Sequence, residues 1–585
     1  MTIPRPEHPS PQLERSTWLN LNGTWTYEFD FGNSGDNREL FNSKGFSGEI
    51  TVPFCPESEL SGVAHHDFIP AIWYHRSITI PKDWDGLNVR INCGAIDYES
   101  TIYLNGTFIG RHFGGSSSFS FDLTPHVKAG ETFDLVIHAI DDTRNPVQPR
   151  GKQSFNYYSR GCSYTRTTGI WQTVWLEAHA PSAIERLQVL TDIDNGTLTL
   201  FPQYFNNPSQ GTEVNVSIKD HTGVIAKSQS IASQHSGIQL CIPEVRLWSP
   251  DDPHLYDLEI EVSQKGEVVD AVSSYVGMRK VHIEENQVYL NNQPLFQRLV
   301  LDQGFYKKGI WTAPSDGDLR KDIELSMQAG FNGARLHQKV FEERFHYWAD
   351  KLGYLTWAES PSWGLDNCSP ESQRYFLTEW SELVTRDRNH PSIIAWSPLN
   401  ETSSPQTRQP TFMKQHKRFH CDLYDLTRTL DPTRHVNDAS GFLHHKTDLW
   451  TVHCYDQDPE KLKEKLTPTE DDGVYRNIPQ LEVAYEGQPY IVAEFGGIQW
   501  VNMDETEHSN QASWGYGEGP KDLEELYARL EGQIDTLLAF DHISGYCYTQ
   551  LTDVEQEQNG VYNYDRSTKF DMDRISSLFR KEKES

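Results

Sequence analysis

The chain runs to 585 residues, too long for one hydrophobic core, so two to four domains are expected. Its formal net charge of −31 repels a phosphate backbone and excludes nucleic acid as a natural partner, while 37% hydrophobic residues is the content of an ordinary folded protein. The cysteines at 55, 93, 162, 241, 368, 421, 454 and 547 form no C-x-x-C pair and no H-E-x-x-H occurs, which points to scattered reduced thiols and to no metal or cofactor.

The first residues, MTIPRPEHPSPQLERS, lack the apolar stretch of a secretory signal. No apolar run approaches the ~20 residues that span a bilayer. A soluble, cytoplasmic protein with no membrane partner is the expectation.

From about 13 to 180 the pattern is short and alternating: "TWTYEFD" (24–30), "YHRSITI" (74–80), "NVRINC" (88–93), "STIYLNG" (100–106), "FDLVIHAI" (133–140) and "WQTVWLEA" (171–178). Turn signals such as Asn105-Gly106 separate these runs, which predicts an all-β sandwich over 1–180. A second β set follows over 181–280, with "AIERLQVLTDI", "TLTLFPQYFN", "TEVNVSIKD" and "LYDLEIEVS" as strands. Its length and spacing suit an immunoglobulin-like sandwich, without a Cys…Trp…Cys core.

From 281 to 585 strand-like and amphipathic helical stretches alternate. Eight strands are predicted, at 296–303, 332–338, 353–360, 393–401, 434–441, 449–456, 490–497 and 543–551. Helices are predicted between them, among others at 318–330, 340–353, 375–389 and 522–541. Eight such units in about 300 residues is the size of a TIM (β/α)8 barrel.

Chemistry in such barrels sits at the C-terminal strand ends. Here those ends carry Asp302, Arg335 with His337, Glu359, Asn400 with Glu401, Asp438, His453 with Tyr455, Glu494, and Gln550. Glu401 closes the fourth strand and Glu494 the seventh, each after an apolar run. Either one alone is a site residue or a salt-bridged strand cap. Together they stand across the barrel, as glycoside hydrolysis requires: one carboxyl protonates the leaving oxygen while the other attacks or stabilises the anomeric centre. Asn400 is placed to donate its amide to a sugar hydroxyl, and Tyr455 to hold Glu494 ionised. Trp363, Trp500 and Trp514 are loop aromatics on which a sugar face can stack. The polar stretch 500–520 has the length of a functional loop. Asp302 is placed to bind hydroxyls of a terminal sugar. The adjacent His444 and His445 read as exposed loop residues.

Over essentially its whole length the chain resembles glycoside hydrolase family 2, which includes β-galactosidases, β-glucuronidases and β-mannosidases. The resemblance is carried by "WLNLNGTWTYEFD", "IWYHRSITIP", "GAIDYESTIYLNGTFIGRHFGGSSSFSFDLT", "GIWQTVWLE", "LWSPDDPHLYDLEI", "GFNGARLHQKVFEERFHYWADKLGYLTWAES", "HPSIIAWSPLNET" and "PYIVAEFGG". It implies a multidomain protein: a jelly-roll sugar-binding-like domain, an immunoglobulin-like domain and a catalytic barrel. It also implies a retaining double displacement with Glu401 as acid/base and Glu494 as nucleophile. Substrate contacts are expected from Asp302, Arg335, His337, Glu359, Asn400, His453, Tyr455, Trp500 and Gln550.

Three features depart from the family. Arg335-Leu336-His337 replaces the common Arg-x-x-His. "EQEQNGVYNYDR" has no lysine beside Asn559, where glucuronidases carry Asn-x-Lys. "WAESPSWG" lacks the Glu-x-His through which large β-galactosidases hold magnesium. The expected activity is therefore an exo-acting, β-galactosidase-like hydrolase of oligosaccharides or glycosides. β-Mannosidase, α-L-arabinofuranosidase and β-galactofuranosidase specificities stay open, with a transglycosylase or a non-catalytic carbohydrate-binding protein as rivals. A homo-oligomer is possible, as in many members of the family.

Overall fold

The computed structural model describes residues 3–234, 236–403, 409–471, 473–501 and 513–583. Two facing antiparallel sheets form the first sandwich. The four-stranded sheet runs, in spatial order, Trp18–Asn20, Val174–His179, Asn88–Cys93 and Phe119–Asp122. The six-stranded sheet runs Gly48–Val52, Gly23–Phe29, Ala71–Thr79, Thr132–Ile140, Glu99–Leu104 and Thr107–Phe113. Trp25, Ile72, Tyr74, Ile91, Ile137 and Leu176 fill the space between them. Asn105 and Gly106 make a two-residue turn with φ of 47° and 78°, the left-handed pair that a tight hairpin demands.

The second sandwich packs a three-stranded sheet on a four-stranded one. In Tyr256–Gln264, Tyr256, Leu258, Ile260 and Val262 point into the core and the residues between them point outward. A small sheet over Val281–Pro294 then leads into the barrel.

The barrel strands are β1 Gln297–Asp302, β2 Gly333–Leu336, β3 Leu355–Glu359, β4 Ile393–Ser397, β5 His435–Val436, β6 Trp450–His453, β7 Tyr490–Gly496 and β8 Ile543–Thr549. They are parallel, and each neighbours its sequence successor from β1 to β5 and from β6 to β8, with β8 pairing back to β1. Between β5 and β6 there is no ladder; the Asp448 amide donates to the Val436 carbonyl instead, at 2.8 Å. Helices α1 Asp316–Ala329, α2 Glu343–Leu352, α3 Pro370–Asp387, α4 Pro410–Leu430, α5 Pro459–Leu466, α6 Leu523–Leu538 and α7 Met572–Phe579 surround it.

Several strand ends fall short of expectation. β4 stops at Ser397, so Asn400 and Glu401 stand beyond it, and β5 has two residues instead of eight. At Glu401 the chain turns left-handed, with φ of 46°, and its amide donates to the Ser440 carbonyl at 3.0 Å. That kink takes the backbone out of the ladder and turns the carboxylate toward the mouth.

The domains are tightly seated. Gly353 ends α2 at φ 76°, and a Cβ there would lie 2.5 Å from the Pro250 carbonyl, so only glycine lets the immunoglobulin-like domain approach. Trp248 donates from Nε1 to the Asp350 carbonyl at 2.7 Å across the same seam. No described helix is long and apolar enough to cross a membrane. The eight cysteines are free thiols.

Candidate active site

Arg335, at the end of β2, is wholly buried and organises the floor of the barrel mouth. Its Nη1 donates to Glu359 Oε2 at 2.6 Å, to His337 Nδ1 at 2.9 Å and to Asn400 Oδ1 at 3.3 Å. Its Nη2 donates to Glu494 Oε1. A guanidinium only donates, so His337 must accept at Nδ1 and Asn400 must present its carbonyl oxygen. Asn400 Nδ2 is thereby left buried without an acceptor. Burial, then the positive charges of Arg335, Lys152 and His453, drive the His337 imidazole far below its usual pKa. The 3.1 Å approach of His337 Nδ1 to Glu359 Oε1 is therefore not an ion pair.

Glu494 lies near the C-terminal end of β7, inside this frame. The Tyr455 hydroxyl donates to its Oε2 and lies 3.0 Å from Thr549 Oγ1. The Tyr455 ring stacks on Tyr516, with centroids 3.3 Å apart. Burial pushes the Glu494 carboxyl up, but His453, Arg335, the Tyr455 hydroxyl and Lys152 outweigh it and hold it below its ordinary value.

Glu401 faces Glu494 across His453. His453 Nδ1 is 2.7 Å from Glu401 Oε1 and 3.4 Å from Glu494 Oε2, and Ser440 Oγ holds its Nε2 at 3.0 Å. One oxygen of each glutamate and a ring nitrogen of His453 lie within 4.8 Å of one another. That closeness suits the about 5–5.5 Å of carboxyl pairs that form a covalent glycosyl intermediate, and falls short of the about 6.5–9.5 Å that leave room for a water. A cation could also bridge such atoms. Here they already partner one another, and the cations Arg335 and Lys152 stand beside them. Glu401 keeps 19% side-chain exposure against 5% for Glu494, so Glu401 has the freer access to solvent.

The remaining expected contacts divide. Gln550 donates to Asn559 Oδ1 at 2.8 Å, and its own Oε1 is left without a donor. Asp302 is buried, and burial followed by the charge of Asp322 pushes it to about 6; its Oδ1 accepts from the Gly304 amide at 2.8 Å. Arg335 and Glu359 have no side-chain exposure, and Arg335 pairs with both Glu359 and Glu494. Trp500 packs on the barrel core, and its amide donates to the Gln558 carbonyl at 3.0 Å. No described contact brings it to the carboxylates. Trp514 packs edge-on to Tyr516. Residues 502–512 of the long loop lie outside the described residues.

The expectation of exposure at His444 and His445 is overturned, since both are buried. Asp438 also points away from the mouth and binds His444 Nδ1 at 2.7 Å and His420 Nδ1 at 3.1 Å, while His445 Nε2 meets His416 Nδ1 at 3.0 Å. This is a knot between the barrel and α4. Burial pushes His445 down to about 3, while at His444 burial is outweighed by the hydrogen bond and charge of Asp438, which raise it.

The sequence singles out no residue of the first domain as part of the site. The segment between Ile140 and Gly169 has no strand periodicity, and its only signal was its length. It reaches over the mouth and brings Lys152 beside Trp363 and Tyr164 onto Glu557, whose Oε2 accepts the Tyr164 hydroxyl at 2.6 Å. A separate cavity of about 440 Å³ lies where the three domains meet. Two acids on its wall are already partnered, in Arg15–Glu177 and His112–Glu382, and it is distinct from the mouth.

Three family models match the chain in order. The sugar binding domain of glycosyl hydrolases family 2 matches residues 57–147, the model described as glycosyl hydrolases family 2 matches 182–279, and that family's TIM barrel domain matches 281–504. The β-glucuronidase of Canis lupus familiaris is 28% identical over 473 residues, covering 73% of this chain and 68% of that one. The β-glucuronidase of Paenibacillus borealis is 24% identical over 530 residues, covering 82% of each. The β-galactosidase of Thermoanaerobacter pseudethanolicus is 25% identical over 509 residues, covering 82% of this chain and 61% of that one. The crystal structure of Ruminococcus gnavus β-glucuronidase shares the fold, with a TM-score of 0.80, 18% identity, and coverage of 98% and 99%. A jelly roll, an immunoglobulin-like sandwich and a TIM barrel follow one another here, each matched in turn by a model of one family, and the chain belongs to glycosyl hydrolases family 2.

Proposed function

We propose that the protein is a retaining, exo-acting glycosidase that removes a terminal sugar by double displacement. The observation that carries this is the approach of the Glu401 and Glu494 oxygens to within 4.8 Å around His453, with Arg335 and Tyr455 both donating to Glu494. In the first step Glu401 gives its proton to the glycosidic oxygen. A Glu494 oxygen bonds to the anomeric carbon as the bond to the leaving alcohol breaks. In the second step Glu401, now a carboxylate, takes a proton from water. The hydroxide so formed bonds to the anomeric carbon, and the ester to Glu494 breaks. Arg335 and Tyr455 donate to the Glu494 oxygens and keep them ionised for attack. The free Nδ2 of Asn400 is available to a sugar hydroxyl.

For the sugar itself we propose a neutral residue of the galactose type. Glu557, which accepts the Tyr164 hydroxyl, faces the Lys152 ammonium together with Glu494, and a uronate would add a further negative charge. A glucuronide is the second reading, favoured by the names of most of the relatives, among them the Canis and Paenibacillus enzymes.

A panel of nitrophenyl glycosides, run with wild type beside Glu494→Ala, tests both parts. Cleavage by wild type, loss in the variant, and recovery with azide to give a glycosyl azide of inverted configuration are expected. A variant that stays active removes Glu494 from the role. A panel in which only the glucuronide is cleaved replaces the neutral sugar.

A further inference from the structure

The segment between Ile140 and Gly169 of the jelly-roll domain is docked on both rims of the barrel mouth. On one side the amides of Arg150 and Gly151 donate to the Trp363 carbonyl, at 2.8 and 3.1 Å. Gly151 has φ of 56°, and a Cβ on it would lie 2.5 Å from the Gln338 carbonyl oxygen, so the two backbones touch. On the other side the Thr165 amide donates to Glu555 Oε1 at 3.0 Å, and Gln556 Nε2 donates to the Gly161 carbonyl at 2.6 Å. Between these anchors stands Lys152. Its relative exposure is 5%, and its Nζ lies 4.2 Å from the centroid of the Trp363 ring.

Among the described residues no hydrogen bond accepts from this ammonium, whereas Lys339, equally buried, donates to the carbonyls of Gly304 and Trp311. Most of the side chain is buried, but the ammonium itself still opens to the mouth, where an oxygen can accept from it. Trp363 supplies only its ring face. Cys162, Glu557, Glu494 and Glu401 face the ammonium and outweigh the effect of burial, so it stays charged at neutral pH. The Trp363 ring under it follows Ser362, whose hydroxyl accepts the amide of Asn400 at 3.0 Å, so the ammonium stands at the rim where the terminal sugar must sit if the glycosidase reading holds, and the present inference rests on that reading.

We propose that Lys152, supplied by the jelly-roll domain, is a substrate-binding residue of the barrel site and donates to a hydroxyl oxygen of the terminal sugar. A hydroxyl suits the local charges better than a carboxylate does. Glu359, Glu494 and Glu557 line the site beside the proton-bearing Glu401, against the cations Arg335 and Lys152. A sugar hydroxyl satisfies the ammonium without enlarging that excess. The first domain then does more than buttress the barrel, because it completes the sugar-binding wall.

The test uses the full chain, wild type and Lys152→Met, on the best-cleaved glycoside and its monodeoxy analogues. The methionine keeps the packing on Trp363 and removes only the donors. A fall in kcat/KM of about 10- to 100-fold is expected, the size of one hydrogen bond to a charged group. Wild type should discriminate against one deoxy analogue by a similar factor, and the variant should not. Where the Met variant fails to fold, Lys152→Leu, which also carries no donor, is read in the same way. Unchanged discrimination across all the analogues in the variant overturns the assignment. So does a loss confined to a glucuronide and absent from its carboxyl-reduced counterpart, which makes the acceptor a carboxylate. If wild type cleaves nothing, the glycosidase reading fails on its own, and calorimetric binding of galactose and glucuronate decides the role of Lys152. Galactose bound by wild type and lost in the variant supports it; binding of neither sugar by wild type, or binding that the variant retains, overturns it.

Discussion

Replacing Tyr455 with Phe removes one hydroxyl and leaves the ring stacked on Tyr516, so the barrel should fold as before. The lost hydroxyl donates to Glu494 Oε2, and Glu494 is buried, so water cannot readily replace it. A hydrogen bond to a charged group contributes about 1.5–3 kcal/mol, which corresponds to a fall of about 10- to 100-fold in kcat/KM. The direction of the pH effect also follows. Glu494 is held below its ordinary pKa, and it must be ionised to attack. Activity is therefore present above that depressed pKa and lost as pH falls through it. Without the hydroxyl, Glu494 titrates higher, so the acidic limb of the kcat/KM profile moves to higher pH. The assay is a pH–rate series on the best-cleaved nitrophenyl glycoside, with thermal melts of both proteins. A variant within twofold of wild type, with the acidic limb unmoved, would refute the claim that Tyr455 keeps Glu494 ionised.

Two further outcomes are expected elsewhere in the barrel. Glu401→Ala should lose about 100- to 10,000-fold in kcat/KM on alkyl glycosides, whose leaving group needs a proton, and far less on a dinitrophenyl glycoside; equal losses on both would remove Glu401 from the acid role. Asp438→Ala leaves His420 and His444 without their carboxylate and should destabilise the protein by about 3–5 kcal/mol, read as a lower urea midpoint. Burial pushes Asp438 up, but its histidine partners and hydrogen bonds pull it well below the usual carboxylate range. Its contribution is thus present above the unfolded carboxylate pKa and lost as pH falls toward the folded one, so the gap between wild type and variant should narrow in acid. A gap constant down to pH 3 would count against it.

The sequence by itself determined the architecture and the two carboxylates. Alternating runs ending in turns can bury one face only by pairing sheet on sheet, and Asn105-Gly106 can make only a tight left-handed hairpin. Apolar runs closed by Glu401 and Glu494, set in a βα alternation, could be placed at the barrel mouth because a strand's end is a local property. Tertiary structure alone decided what surrounds them. Glu401 reaches the site through a kink beyond β4 that no periodicity marks. His444 and His445 are buried because α4 lays His416 and His420 against them. Tyr164 and Glu557 meet although 393 positions apart, and Lys152 crosses from one domain into another's site. Such contacts depend on how separately folded domains dock, and neither hydrophobic period nor turn chemistry carries information over that distance.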